Sequence, residues 1–125
     1  MVKSLISLLC ALFIIVGASV WENRFIKKEF KEFNEVLTVL YRKIENESAV
    51  KEDVYSAQKN WLNKKRVLHI VIPHTEIKEI DLWLSETVTL VEDKEWKDAI
   101  SKVEVLIELT EQIPKTFSLL PENIF

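Results

Sequence analysis

The chain has 125 residues and a net charge of −3, with one glycine, three prolines and one cysteine. Once an apolar N-terminal segment is set aside, about a hundred residues remain, which is one small domain with one core and excludes a second. The single cysteine and glycine both fall in the apolar segment, so the rest carries no disulfide, no cysteine metal site and no glycine-rich phosphate loop. Net acidity makes nucleic acid a poor partner.

Residues 5–21 contain no charged side chain, and Leu5, Ile6, Leu8, Leu9, Leu12, Phe13, Ile14, Ile15 and Val16 dominate them. As α-helix this stretch is about 26 Å long, at the short end for a hydrocarbon core of about 30 Å. Lys3 reaches past one end, and Trp21 supplies the amphipathic ring expected at a headgroup boundary at the other. Residues 1–21 are therefore read as a membrane anchor. A cleaved signal peptide is the competing reading, because a short basic start precedes the apolar run and Gly17, Ala18 and Ser19 form a small-residue cluster. Amphipathic helix resumes directly after Ser19, leaving no loop for a protease, which favours retention. Cys10 follows Ser7, Leu8 and Leu9 rather than the small residues that precede a lipidated cysteine, and is read as an apolar member of the span. Ser4, Ser7, Ala11 and Ala18 share one face of it, a weak invitation to close helix contact.

Beyond the anchor, apolar residues recur at Ile26, Phe30, Phe33, Leu37, Leu40 and Ile44, alternating steps of four and three. That spacing predicts a stem helix with one apolar face. Burying six such side chains contributes on the order of 9 to 18 kcal/mol before conformational entropy is subtracted, so the face requires a partner. The remainder of the chain is the expected partner; a parallel coiled coil with a second copy is the alternative. Residues 22–66 hold 11 basic against 8 acidic side chains, and residues 67–125 hold 5 against 12. Arg24, Lys27, Lys28 and Lys31 are interspersed with Glu22, Glu29, Glu32 and Glu35, which reads as a solvated face rather than a lipid-binding patch.

The stem is expected to stop at Asn46, Glu47 and Ser48, with Ser48 as N-cap of a second helix from about Ala49. That helix carries Val54, Ala57, Trp61 and Leu68 on one face. Lys64, Lys65 and Arg66 are read as interrupting the stripe, and the apolar residues 67–72 as a buried helix end. Pro73 either ends this helix or opens the third, whose face is Ile77, Ile80, Leu84, Val88 and Val91. A fourth helix follows Glu92, Asp93 and Lys94, with Trp96, Ile100, Val103, Ile107 and Thr110 inward and Pro114 closing it. With no hairpin turns and short connections, the expected fold is all-α: a transmembrane helix continuing into an antiparallel bundle of about four helices over residues 22–125. The apolar tail, with Phe117, Leu119, Leu120, Ile124 and Phe125, is expected to pack on that bundle.

Candidate chemistry is sparse. His69 and His74 form no His-x-x-x-His or Glu-x-x-His pattern. His74 with Glu76, Glu79 and Asp81 is the one polar cluster, and acids at a helix N-terminus are favourable without any ligand. No serine stands in a nucleophile-elbow context. No enzyme activity, cofactor or metal is expected.

The N-terminal span running into a helix, the His74-Thr75-Glu76-Ile77 start of the third helix and the terminal Leu120-Pro121-Glu122-Asn123-Ile124-Phe125 resemble the bacterial family designated domain of unknown function 4363. The resemblance implies a small membrane-anchored helical protein of spore-forming Firmicutes with no assigned activity, some relatives being encoded near a multispanning membrane protein. Pro73 departs from the acidic residue that the family pattern places before His74.

These readings lead to a non-enzymatic, single-pass module of the bacterial cell membrane that binds or supports another membrane or envelope protein. Its candidate contacts are His74, Glu76, Asn123, Ile124 and Phe125. The short basic start suits a soluble part outside the cell, whereas the excess of Lys and Arg after the span favours the inside; the outside is the expected side. A homo-oligomer built through the stem and a secreted metal- or ligand-binding domain are the alternatives.

Overall fold

The computed structural model describes residues 1–117, and these form four helices: α1 (Val2–Glu45), α2 (Lys51–Leu68), α3 (His74–Glu92) and α4 (Trp96–Phe117). Asn123, Ile124, Phe125 and the expected docking of the tail lie outside the described residues. No glycine or proline interrupts α1 beyond Gly17, so one helix carries both the apolar segment and the stem. α1 packs on α2 and α4, and α3 packs on the same two from the other side. With three short turns this makes an antiparallel bundle in which sequence neighbours are spatial neighbours.

Polar contacts fix the register of the helices. Lys43 meets Asp53 at 2.8 Å near the far end, and Lys64 meets Glu29 at 3.0 Å nearer the apolar rod. On the other flank Tyr41 donates to Glu104 at 3.2 Å, and Asn34 to Thr110 at 2.8 Å. The α2–α3 turn and the end of α4 therefore return toward the rod, while the α1–α2 and α3–α4 turns lie at the far end.

The stem stripe is the spine of the core. Ile26, Phe30, Phe33, Leu37, Leu40 and Ile44 are all buried. Trp61 of α2 fills the space beside them, its ring centroid 5.0 Å from Phe33 and 6.2 Å from Phe30. The indole N–H is satisfied by Asp81 of α3 at 2.8 Å, and Lys65 closes on the other carboxylate oxygen at 3.0 Å.

The two far turns share one device. Ser48 N–H reaches the Lys43 carbonyl and Glu47 N–H that of Ile44; Glu95 N–H reaches Leu90 and Lys94 N–H reaches Val91. Both are Schellman closures, in which the residue after the C-cap turns left-handed. Those residues are Glu47 at φ 55° and Lys94 at φ 56°, positions that favour glycine.

Several sequence expectations need correction. Ser48 is not the N-cap of α2: its hydroxyl donates to the Lys43 carbonyl at 3.2 Å, α2 begins at Lys51, and Asp53 accepts the Val50 N–H at 2.9 Å. Lys64 does not interrupt the inward stripe but occupies it, because two stem glutamates meet its ammonium. Residues 67–72 are not a buried helix end: α2 stops at Leu68, and within a tight turn only Leu68 and Ile72 are buried. On α3, Thr87 takes the inward place expected of Val88, its hydroxyl satisfied by the Trp83 carbonyl at 2.7 Å. On α4 the face is rotated, with Ala99, Leu106 and Ile113 buried beside Val103 and Thr110, and Trp96, Ile100 and Ile107 half-buried on its flank. Pro114 does not close α4, which continues to Phe117; the proline is buried in the last turns. Pro73 stands immediately before α3, with His74 its first residue.

Candidate functional site

α1 divides into two halves of opposite exposure. The side chains of Leu5, Ile6, Leu8, Leu9, Leu12, Phe13, Ile14, Ile15 and Val16 touch no other helix and are exposed, whereas the stem stripe on the same helix is enclosed by α2 and α4. Trp21 stands at the division, exposed on one side and stacked on Phe25 with ring centroids 5.4 Å apart. The apolar half is long enough and apolar enough to cross a membrane.

Roughly two to three helical turns beyond that division sits the most buried charge among the described residues. Lys64 is 7 % exposed and donates to Glu32 at 2.6 Å and to Glu29 at 3.0 Å, both carboxylates one α1 turn apart. Burial alone lowers a lysine pKa, but the hydrogen bonds to Glu32 and Glu29 outweigh it and hold Lys64 above its ordinary value. The same hydrogen bond and charge from Lys64 depress the Glu32 carboxyl. At the far end burial opposes ionisation of Asp53, yet the Lys43 ammonium and the Val50 N–H prevail and its pKa falls.

Sequence reasoning overlooked this trio. The signal was available in the spacing, since position 64 lies on the stripe of residues 54, 57, 61 and 68, and a lysine there demands an acidic partner.

The α2–α3 turn comes next toward the rod. Ile70, Val71 and Ile72 N–H groups bond back to Val67 and Leu68 carbonyls, so the turn is tight. It leaves Ile70 75 % and Val67 47 % exposed. His74 is exposed, and Glu76 is half-buried in the first turn of α3. They lie at this same end of the bundle. Among the described residues no grouping of three or more histidine, cysteine or acidic side chains is arranged to hold a metal ion. On the opposite flank an open cleft of about 370 Å³ runs between α1 and α4, bordered by Lys27, Lys31, Asn34, Glu111 and Pro114.

These features define an all-α, four-helix body whose first helix projects from it as an apolar rod. The chain belongs to the family described as Domain of unknown function (DUF4363), whose profile matches residues 20–124. The match opens at the division marked by Trp21 and covers the stem, the bundle and the tail, while the apolar rod lies outside it. No curated protein and no solved structure matches the chain.

Proposed function

We propose that this protein is a single-pass, membrane-anchored helical module without catalytic activity, which holds its bundle at the bilayer surface and binds or supports another membrane or envelope protein there. The observation that carries the reading is the opposite exposure of the two halves of α1. A core helix hides its apolar face in the protein; residues 5–20 present apolar side chains to no other helix of the chain, which bilayer hydrocarbon would satisfy. The six stem residues are buried within one chain, which leaves none of that stripe for a second copy and favours a different protein as partner. The short basic start favours a bundle on the outer face of the cell membrane.

Two fractions test this. Membranes from cells making the full chain, washed in alkaline carbonate, are expected to retain it, and mild cross-linking is expected to recover a second, different membrane protein. Release into the carbonate supernatant would contradict the anchor, and recovery of this chain alone would contradict the partner.

A further inference from the structure

We propose that the α2–α3 turn is a second bilayer contact, with Ile70 and Val67 set among the lipid headgroups and the outward basic side chains at the same height matched to anionic lipid. The proposal rests on the reading of α1 as a membrane anchor and adds where the bundle sits once anchored.

Height is the first argument. Because α1 is one uninterrupted helix, distance along it converts to distance from the membrane at about 1.5 Å per residue. Lys64 is level with Glu29 and Glu32 by direct contact, and Leu68, one turn further on, is about 6 Å nearer the rod. The tight turn then keeps Ile70 opposite the stretch of α1 near residue 25, about 6 Å beyond Trp21. A headgroup layer is itself about 5 to 7 Å deep outside the hydrocarbon. Ile70 is the most exposed large apolar residue of the described bundle, and it projects at the one height where apolar and polar surroundings meet.

Charge is the second argument. The basic residues of the lower stem read as a solvated face in the sequence because acids are interspersed among them. In the structure two of those acids, Glu29 and Glu32, are turned to the buried Lys64. Arg24, Lys27 and Arg66 remain exposed at this end and, among the described residues, form no ion pair. An apolar tip at a height that also carries these outward cations, beside Glu76 and Glu79 at the start of α3, is a surface that a bilayer with a minor anionic fraction complements.

The test uses the full chain carrying Cys10→Ser, with a single cysteine introduced by Ile70→Cys, Ile14→Cys or Glu95→Cys and labelled with an environment-sensitive fluorophore. Each is reconstituted in vesicles of phosphatidylcholine with a minor fraction of phosphatidylglycerol, with nitroxide quenchers attached at the lipid headgroup. Quenching at position 70 is expected to exceed that at position 95, at the far turn, at least about twofold. Equal quenching at 70 and 95, with position 14 shielded from aqueous quenchers, would overturn the contact while leaving the anchor standing. A blue-shifted label at 70 that lipid nitroxides do not reach would mean that protein covers the turn, and also overturns it. Exposure of position 14 to aqueous quenchers would remove the anchor and this proposal together.

Discussion

Lys64 of α2 and Glu32 of α1 meet at 2.6 Å, and the lysine is almost completely withdrawn from water while the glutamate keeps one side in it. Glu29 completes the contact at 3.0 Å. A buried lysine with one carboxylate at its back and another at the surface locks the height of α2 against the stem. The α2–α3 turn takes its position from that lock.

Lys64→Met keeps the volume of the side chain and removes its charge, leaving Glu29 largely buried without its cation. The expected cost is about 1 to 2 kcal/mol, below the range for a fully buried pair because Glu32 is solvated. Adding Glu29→Gln and Glu32→Gln to Lys64→Met is expected to recover most of the loss, since no uncompensated charge remains. Thermal unfolding of the detergent-solubilised chain, followed by circular dichroism, measures both; strict additivity of the three changes would contradict the coupling.

The pH dependence of this contact has a definite sign. Lys64 is raised in the folded state, so its contribution is complete below the ordinary lysine value and is lost only as pH climbs through the still higher folded value. Glu32 is lowered, so its contribution is present above the ordinary glutamate range and is lost as pH falls through the still lower folded value. The stability difference between the native chain and Lys64→Met is therefore expected to be flat across the neutral range and to shrink in acid. A step near neutrality in unfolding midpoints would contradict these assignments.

Glu47 and Lys94 hold left-handed backbone where glycine is the relaxed choice. Lys94→Gly removes strain of about 1 kcal/mol or slightly more and adds a smaller entropy cost in the unfolded chain, so a net gain of up to about 1 kcal/mol is expected. Lys94→Val, β-branched at the same φ, is expected to lose stability. The same pair at Glu47 should behave alike, read from the shift in unfolding midpoint.

Trp61→Ala empties the space beside Phe30 and Phe33 and is expected to cost about 3 to 5 kcal/mol. Trp61→Phe retains the ring contact but takes the indole donor from one Asp81 oxygen while Lys65 keeps the other, and a cost of about 1 kcal/mol is expected. Near-equal losses for the two variants would show that the Asp81 hydrogen bond dominates the site.

What the sequence revealed follows from how uniquely each pattern reads. The stem stripe was legible because six large apolar residues at strict three-and-four steps are flanked by charge, which leaves one choice of face. α4 was misread by a rotation because apolar residues line nearly half of it: Ile100 and Ile107 compete with Ala99, Leu106 and Ile113, and only the packing partners choose. Thr110 was expected inward and is buried there, whereas Thr87 and Lys64 were missed as core members. Polar residues are inward only when a neighbour satisfies them: Thr87 uses the Trp83 carbonyl of its own helix, while Glu29 and Glu32, the partners of Lys64, belong to α1 and are known only once the helices are assembled. Residues 67–72 looked buried because they are apolar, but the turn after Leu68 points Val67 and Ile70 outward, which apolar character alone does not reveal. Family membership was legible from short motifs and is confirmed over residues 20–124.

The central claim is that a bilayer-embedded rod and the stem are one rigid helix. Val16 and Val39 are both exposed on α1, one in each half, and an unbroken helix separates them by about 35 Å. Spin labels introduced by Val16→Cys and Val39→Cys in the Cys10→Ser background, in reconstituted vesicles, report that distance by pulsed dipolar spectroscopy. A narrow distribution centred near about 35 Å, allowing for label length, is expected. A broad distribution reaching much shorter distances would mean a hinge near Glu22, and would contradict it.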